Sequence, residues 1–186
     1  MVERPRFERL ALPHMAAAYN LAFWLVRNRA DAEDVVQDAY LRAYRAFASF
    51  KGDDMRPWLL KIVRNVALSW LGNRNSARNV ISFDEALSQR VTEAPGTMQV
   101  ADDEPSPETL LISADERNQL KRALAELPAV FREALVLREF EALSYREIST
   151  VIGAPIGTVM SRLSRAREEL GNLLKKHVGM DKPDAM

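Results

Sequence analysis

The chain has 186 residues, 47% of them hydrophobic, with 26 basic against 26 acidic side chains and no cysteine. That length allows one domain or two small ones. The composition is that of a folded chain without the ~18-residue apolar run of a membrane span, and it excludes a disulfide framework or a thiolate metal site. The neutral total hides a pattern, because residues 1–78 carry 13 basic and 8 acidic side chains, 79–116 carry 1 and 9, and 117–186 carry 12 and 9. Two basic blocks therefore flank an acidic connector. The opening stretch, MVERPRFERLALPHMAAAYN, mixes acids with bases and has neither the apolar segment nor the cleavage site of a secretory signal. These features predict a cytoplasmic protein with no membrane contact of its own.

In chain order, Phe7, Leu10, Met15, Ala18, Tyr19, Ala22, Phe23 and Val26 recur at helical spacing, with Pro13 kinking or restarting the segment. In RADAEDVVQDAYLRAYRAFASF (29–50), Asp31 is the expected N-cap, and Glu33 and Asp34 fall in the first turn, where the helix dipole favours acids. Ala32, Val35, Val36, Ala39, Tyr40, Ala43 and Phe47 make its apolar stripe. KGDD (51–54) reads as a loop, and RPWLLKIVRNVALSWL (56–71) as a helix with Pro57 in its first turn. Residues 79–112 are rich in Pro, Gly, Ser, Thr and acids and lack a sustained period, apart from a short helix expected in FDEALSQ (83–89). One-sign charge and low hydrophobicity predict a mobile linker. Helical pattern returns at about Glu108, with helices expected over Ala114–Glu126 and Pro128–Phe140. The fold expected is all-α: two small helical domains over 1–78 and 113–178, a flexible acidic linker over 79–112, and a tail over 179–186.

The segment LSYREISTVIGAPIGTVMSRL (143–163) has the parts of a helix-turn-helix. Ser144 and Glu147 are spaced as a capping box, Gly153 suits the turn, and Pro155 suits the start of the second helix. In such a motif the second helix enters the major groove by its N-terminal end. Gly157, Thr158 and Ser161 would meet phosphates or base edges, and Arg162 and Arg165 can pair with guanine or phosphate. Ile156, Val159 and Leu163 are expected to point into the core. An ordinary helical hairpin with a solvated basic face remains open at this point.

The stretch LSYREISTVIGAPIGTVMSRLSRAREEL (143–170), with LAELPAVFREALVLREFEALSYREI (124–148) before it, resembles the promoter-binding fourth region of the extracytoplasmic-function sigma factors. RADAEDVVQDAYLRAYRAFASFKGDDMRPWLLKIVRNVALSWL (29–71) resembles their second region. The resemblance implies a subunit of bacterial RNA polymerase that directs the core enzyme to promoters, has no catalysis of its own and needs no cofactor or metal. It implies three partners: core RNA polymerase at its clamp and flap surfaces, promoter DNA, and an anti-sigma protein.

Residue by residue, the resemblance assigns Asp34, Gln37, Asp38, Leu41 and Arg42 to the polymerase clamp. It assigns the loop of Lys51, Gly52, Asp53, Asp54, Met55 and Arg56 to capture of a flipped −10 base, which needs hydrogen bonds and an apolar wall. Lys61, Arg64 and Asn65 would contact the promoter near the melted edge, with Arg74 and Arg78 extending the basic surface. Gly157, Thr158, Met160, Ser161, Arg162, Ser164 and Arg165 would face the −35 element. Trp58 and Trp70 can stack on bases, although Trp58 shares the apolar stripe of Ile62 and Val66 and is expected in the core. Three other readings stand beside this one: a free-standing DNA-binding regulator, a sigma-like decoy for an anti-sigma protein, and a metal-dependent hydrolase using Asp34, Asp38, Asp53 and Asp54. The last lacks histidine support, since His14 and His177 are the two histidines and neither is nearby.

Overall fold

The computed structural model describes residues 3–52, 54–76 and 107–180. Asp53, Arg78, the FDEALSQ segment, the rest of 77–106 and the tail from 181 lie outside the described residues. Within them every regular element is helical: α1 (Glu3–Ala11), α2 (Met15–Val26), α3 (Arg29–Ala46), α4 (Met55–Ser76), α5 (Pro107–Glu126), α6 (Ala129–Leu135), α7 (Tyr145–Ile152) and α8 (Ile156–Met180). A 3₁₀ turn over Leu12–His14, carrying Pro13, joins α1 to α2, and a wider π-turn over Val136–Phe140 extends α6. The helix expected from Ala114 begins earlier, at Pro107, where a residue without an N–H costs a first turn nothing.

The N-cap of α3 is Asn28 and not Asp31. Helix α2 ends with Arg27 in the left-handed region (φ 57), so a single extended residue, Asn28, remains before the next helix begins. Its side-chain oxygen accepts from the Asp31 N–H at 3.0 Å. Asp31 thereby sits in the first turn, where its carboxylate faces the helix dipole and pairs with Arg74.

Helices α2, α3 and α4 pack on one another through Leu21, Val35, Leu60 and Val63, all fully buried. A second cluster beneath α1 gathers Phe7, Ala11, Ala43, Phe47, Met55 and Leu59, with Phe7 edge-on to Tyr40, Tyr44 and Phe47. In the C-terminal part, α6, α7 and α8 close over Leu137, Ile148, Val159 and Leu163. The relative placement of the two parts was open from the sequence. They pack directly, α4 against α7 and α2 against α6 and the π-turn, and share one apolar core.

Local chemistry fixes the entry to α7. Ser144 Oγ accepts from the Glu147 N–H at 3.3 Å while Glu147 Oε2 accepts from the Ser144 N–H at 2.6 Å, a complete capping box. These bonds favour the carboxylate and hold Glu147 below its ordinary pKa. Replacing Ser144 with alanine is expected to cost about 1 kcal/mol, read as a lower urea midpoint at unchanged slope. Because the folded pKa is depressed, the Glu147 half of the box contributes fully above the ordinary value of 4.5. It is lost as pH falls through the lower folded value, so the wild-type advantage over the variant shrinks in acid.

Candidate nucleic-acid interface

The turn between α7 and α8 follows from its residues. Gly153 takes φ 73, a left-handed conformation that glycine adopts without penalty, and its N–H donates to Ser149 O at 2.9 Å. Ser149 Oγ donates to Ala154 O at 2.6 Å, tying the turn to the helix before it. Pro155 O then accepts from the N–H groups of Thr158 and Val159, starting α8. Val159, Leu163 and Ala166 are buried beneath this helix. On its outer face Gly157, Met160, Ser161, Ser164 and Arg165 are exposed, with Thr158 and Arg162 half-buried. Ile156, expected in the core, is 42% exposed, because it lies in the first turn ahead of the packed face. Arg167 is held by Glu139 at 2.7 Å, whereas Arg162 and Arg165 have no ion pair among the described residues. The result is a ledge of small and hydroxylated residues, Gly157, Thr158, Ser161 and Ser164, flanked by two available guanidinium groups and by the exposed Met160.

The face expected on α4 is divided. Lys61 and Asn65 are exposed. Arg64 is turned inward, where Nε donates to Glu133 Oε1 at 2.5 Å and Nη2 to Oε2 at 3.4 Å. In the loop before α4, Lys51, Gly52 and Asp54 are exposed, and Asp54 Oδ1 accepts from the Arg56 N–H at 2.9 Å. The Arg56 side chain reaches Glu141 Oε2 at 2.6 Å, and the other oxygen of Glu141 accepts from Asn20 Nδ2 at 3.1 Å. Met55 is 4% exposed and packs in the cluster with Phe7 and Phe47 instead of facing solvent with the loop. Trp58 is half-buried against Phe50, ring centroids 5.1 Å apart, and Trp70 is half-buried against the main core. Arg74 is engaged by Asp31.

On α3, Asp34, Gln37, Leu41 and Arg42 are exposed, and Asp38 pairs with Arg42 at 2.9 Å. Leu41 lies at the rim of an open, mainly apolar groove of about 1040 Å³, formed by Leu12, Met15 and Tyr19 on one side and Val36, Tyr40 and Tyr44 on the other. Met15, which the helical spacing placed on a core stripe, is 40% exposed in this groove. Sequence reasoning also missed Arg132, Glu133 and Glu141, which are 2–4% exposed. The available signal was that these three are among the five charges set between the apolar residues of AVFREALVLREFEAL. No helix among the described residues is long and apolar enough to cross a membrane. None of their His, Asp or Glu side chains forms a group of three that could hold a metal ion.

The described residues thus form two helical units, one bearing a helix-turn-helix with an open cationic second helix and the other an exposed apolar groove. Residues 10–77 match the family model described as Sigma-70 region 2, and residues 117–170 match Sigma-70, region 4. The chain is 38% identical over 146 residues to the ECF RNA polymerase sigma-E factor of Escherichia coli K12, covering 76% of this chain and 73% of that one. It is 33% identical over 173 residues to the ECF RNA polymerase sigma factor SigE of Mycolicibacterium smegmatis, covering 93% of this chain and 63% of that longer relative. Among solved structures it resembles the Bartonella quintana sigma factor RpoE, crystallised with the anti-sigma factor NepR, at a TM-score of 0.70 and 28% identity over 91% of this chain and 97% of that one. The chain belongs to the extracytoplasmic-function RNA polymerase sigma factors.

Proposed function

We propose that this protein, acting in the cytoplasm and without catalysis of its own, carries core RNA polymerase to promoters through two units, region 2 over 1–78 and region 4 over 113–178. The observation that carries the reading is the outer face of α8, where Gly157, Met160, Ser161, Ser164 and Arg165 are exposed and two arginines have no carboxylate partner among the described residues. The ledge suits close approach to DNA. Arg162 and Arg165 supply phosphate or guanine contacts, and Met160, 52% exposed, offers a surface to a thymine methyl. Lys51, Lys61 and Asn65 present the corresponding polar face of region 2 to the −10 element. The α1–α2–α3 groove with Leu41 at its rim fits an amphipathic helix pair such as a polymerase clamp would offer. The RpoE structure contains an anti-sigma factor, which supports a separate protein of that kind as the regulator here.

The test mixes the purified chain with core polymerase and genomic DNA and maps transcript 5′ ends. Discrete starts that require the protein and share a two-part upstream motif are expected. DNA binding without transcription would replace this reading with a free-standing regulator. In the same assay, Arg162→Ala combined with Arg165→Ala is expected to lower transcript yield at least tenfold, since each lost base contact costs about 1–3 kcal/mol. Binding to core polymerase should be unchanged.

A further inference from the structure

We infer that the two units of the free protein are latched together by Glu133 and Glu141, whose carboxylates occupy Arg64 and Arg56 in the place of promoter DNA, so that closure competes with −10 capture by these two arginines. The inference rests on the proposed function and on the family resemblance that assigns Arg56 and Arg64 to promoter contact, and goes beyond them to how that contact is withheld.

The geometry is that of substitution. Arg64 meets Glu133 through two N–H groups, at 2.5 and 3.4 Å, across 69 residues of chain, and Arg56 meets Glu141 at 2.6 Å across 85. A carboxylate offers a guanidinium the same fork of two acceptor oxygens that a phosphate does. Arg64 commits Nε and Nη2 to Glu133, and Arg56 commits Nη2 to Glu141, so a promoter phosphate would compete with the carboxylates for those N–H groups. Both carboxylates are 4% exposed, and Arg64 and Arg56 are 17% and 30% exposed, so the pairs are largely shielded from solvent and little of either guanidinium faces an approaching strand while the units are closed. The masking is selective. The ledge on α8 and the groove beside Leu41 both remain open in this arrangement. The closed protein can therefore meet polymerase and the −35 element, and what it withholds is the share of −10 recognition carried by Arg56 and Arg64, while Lys51, Lys61 and Asn65 stay exposed.

Energetics makes such a latch reversible. For a buried ion pair the cost of stripping water from both charges offsets much of their attraction. Opening returns both carboxylates to solvent, and DNA then supplies the arginines with new anions.

The test uses the full chain. It lacks cysteine, so Asn73→Cys with Asn172→Cys, on α4 and α8, gives a single dye pair reporting the separation of the units. Glu133→Gln combined with Glu141→Gln is expected to lower transfer efficiency and to tighten binding to fork-junction DNA of a mapped promoter by roughly tenfold, as the competent fraction rises. A charge swap guards against misfolding. Arg64→Glu should open the protein, and adding Glu133→Arg should reclose it without restoring DNA binding. Unchanged transfer in the Gln pair, or failure of the charge swap to reclose, overturns the latch. Opening without tighter DNA binding overturns the masking. The dye readout needs no promoter, so failure of the transcription assay and failure of the latch are separately visible.

Discussion

Replacing Arg132 with alanine is expected to remove about 3 kcal/mol or more of folding free energy and to blunt the cooperativity of unfolding. Arg132 is 2% exposed. Its Nε donates to Trp24 O at 3.0 Å, and its Nη1 to Ala125 O at 3.1 Å and Leu127 O at 3.0 Å. The carbonyls of Trp24 and Ala125 lie in the last turns of α2 and α5, the negative ends of two helix dipoles. One guanidinium therefore caps two helix termini, one in each unit. Burial, with a smaller contribution from Arg27, lowers its pKa to about 10, which leaves it charged at neutral pH. Alanine would strand three buried acceptors, at about 1–3 kcal/mol each before relaxation, and leave a void. Lysine would not replace it, because a point charge cannot span acceptors on two helices. Urea denaturation followed by fluorescence and by circular dichroism checks both parts. Loss of stability with coincident transitions would confine Arg132 to region 4, whereas transitions that separate identify it as the tie between the units.

Leu41→Glu is expected to weaken binding to core RNA polymerase by roughly hundredfold while leaving the melting curve where it was. Leu41 is 52% exposed beside an apolar groove, so the folded chain gains little from it, and an exposed helix position tolerates glutamate within about 0.5 kcal/mol. At an interface the balance changes. A leucine buried by a partner, replaced by a charge that must be stripped of water, falls among the larger interface effects, about 2–4 kcal/mol. Anisotropy titration of dye-labelled protein with core polymerase gives the affinity. A variant that binds as tightly as wild type would remove the groove from the docking surface.

How much of this could be read in advance depended on range. The capping box at Ser144 and Glu147, the left-handed Gly153 and the start of α8 after Pro155 are encoded within a few residues, and all three occur as the sequence implied. The exposed face of α8 followed from helical spacing in the same way, apart from Ile156. Asn28 was passed over for Asp31 because the choice depends on where α2 ends, and that is set by Arg27 entering the left-handed region. Helical periodicity also cannot distinguish an apolar side chain facing a filled core from one facing an empty trench. Met15 and Val36 look alike in sequence, but the first is exposed in the groove and the second buried at its floor. Lys61, Arg64 and Asn65 share a helical face on paper. Whether the neighbour is water or Glu133 is decided by tertiary packing, for which spacing along α4 carries no signal.

The π-turn over Val136–Phe140 has a mechanical meaning for the whole C-terminal part. Its closing bond runs from the Glu141 N–H to Val136 O at 3.1 Å, five residues back, and Leu143 N–H then reaches Leu137 O at 3.0 Å. One residue more is wound into that turn than an α-helix would hold, and each residue of helix advances the chain by about 100°. The turn therefore works as an indexing notch. It sets the angle at which the Glu141 carboxylate meets Arg56 and at which the helix-turn-helix leaves α6. A chain shortened by one residue here would keep every recognition side chain and present them rotated about the axis, out of step with region 2.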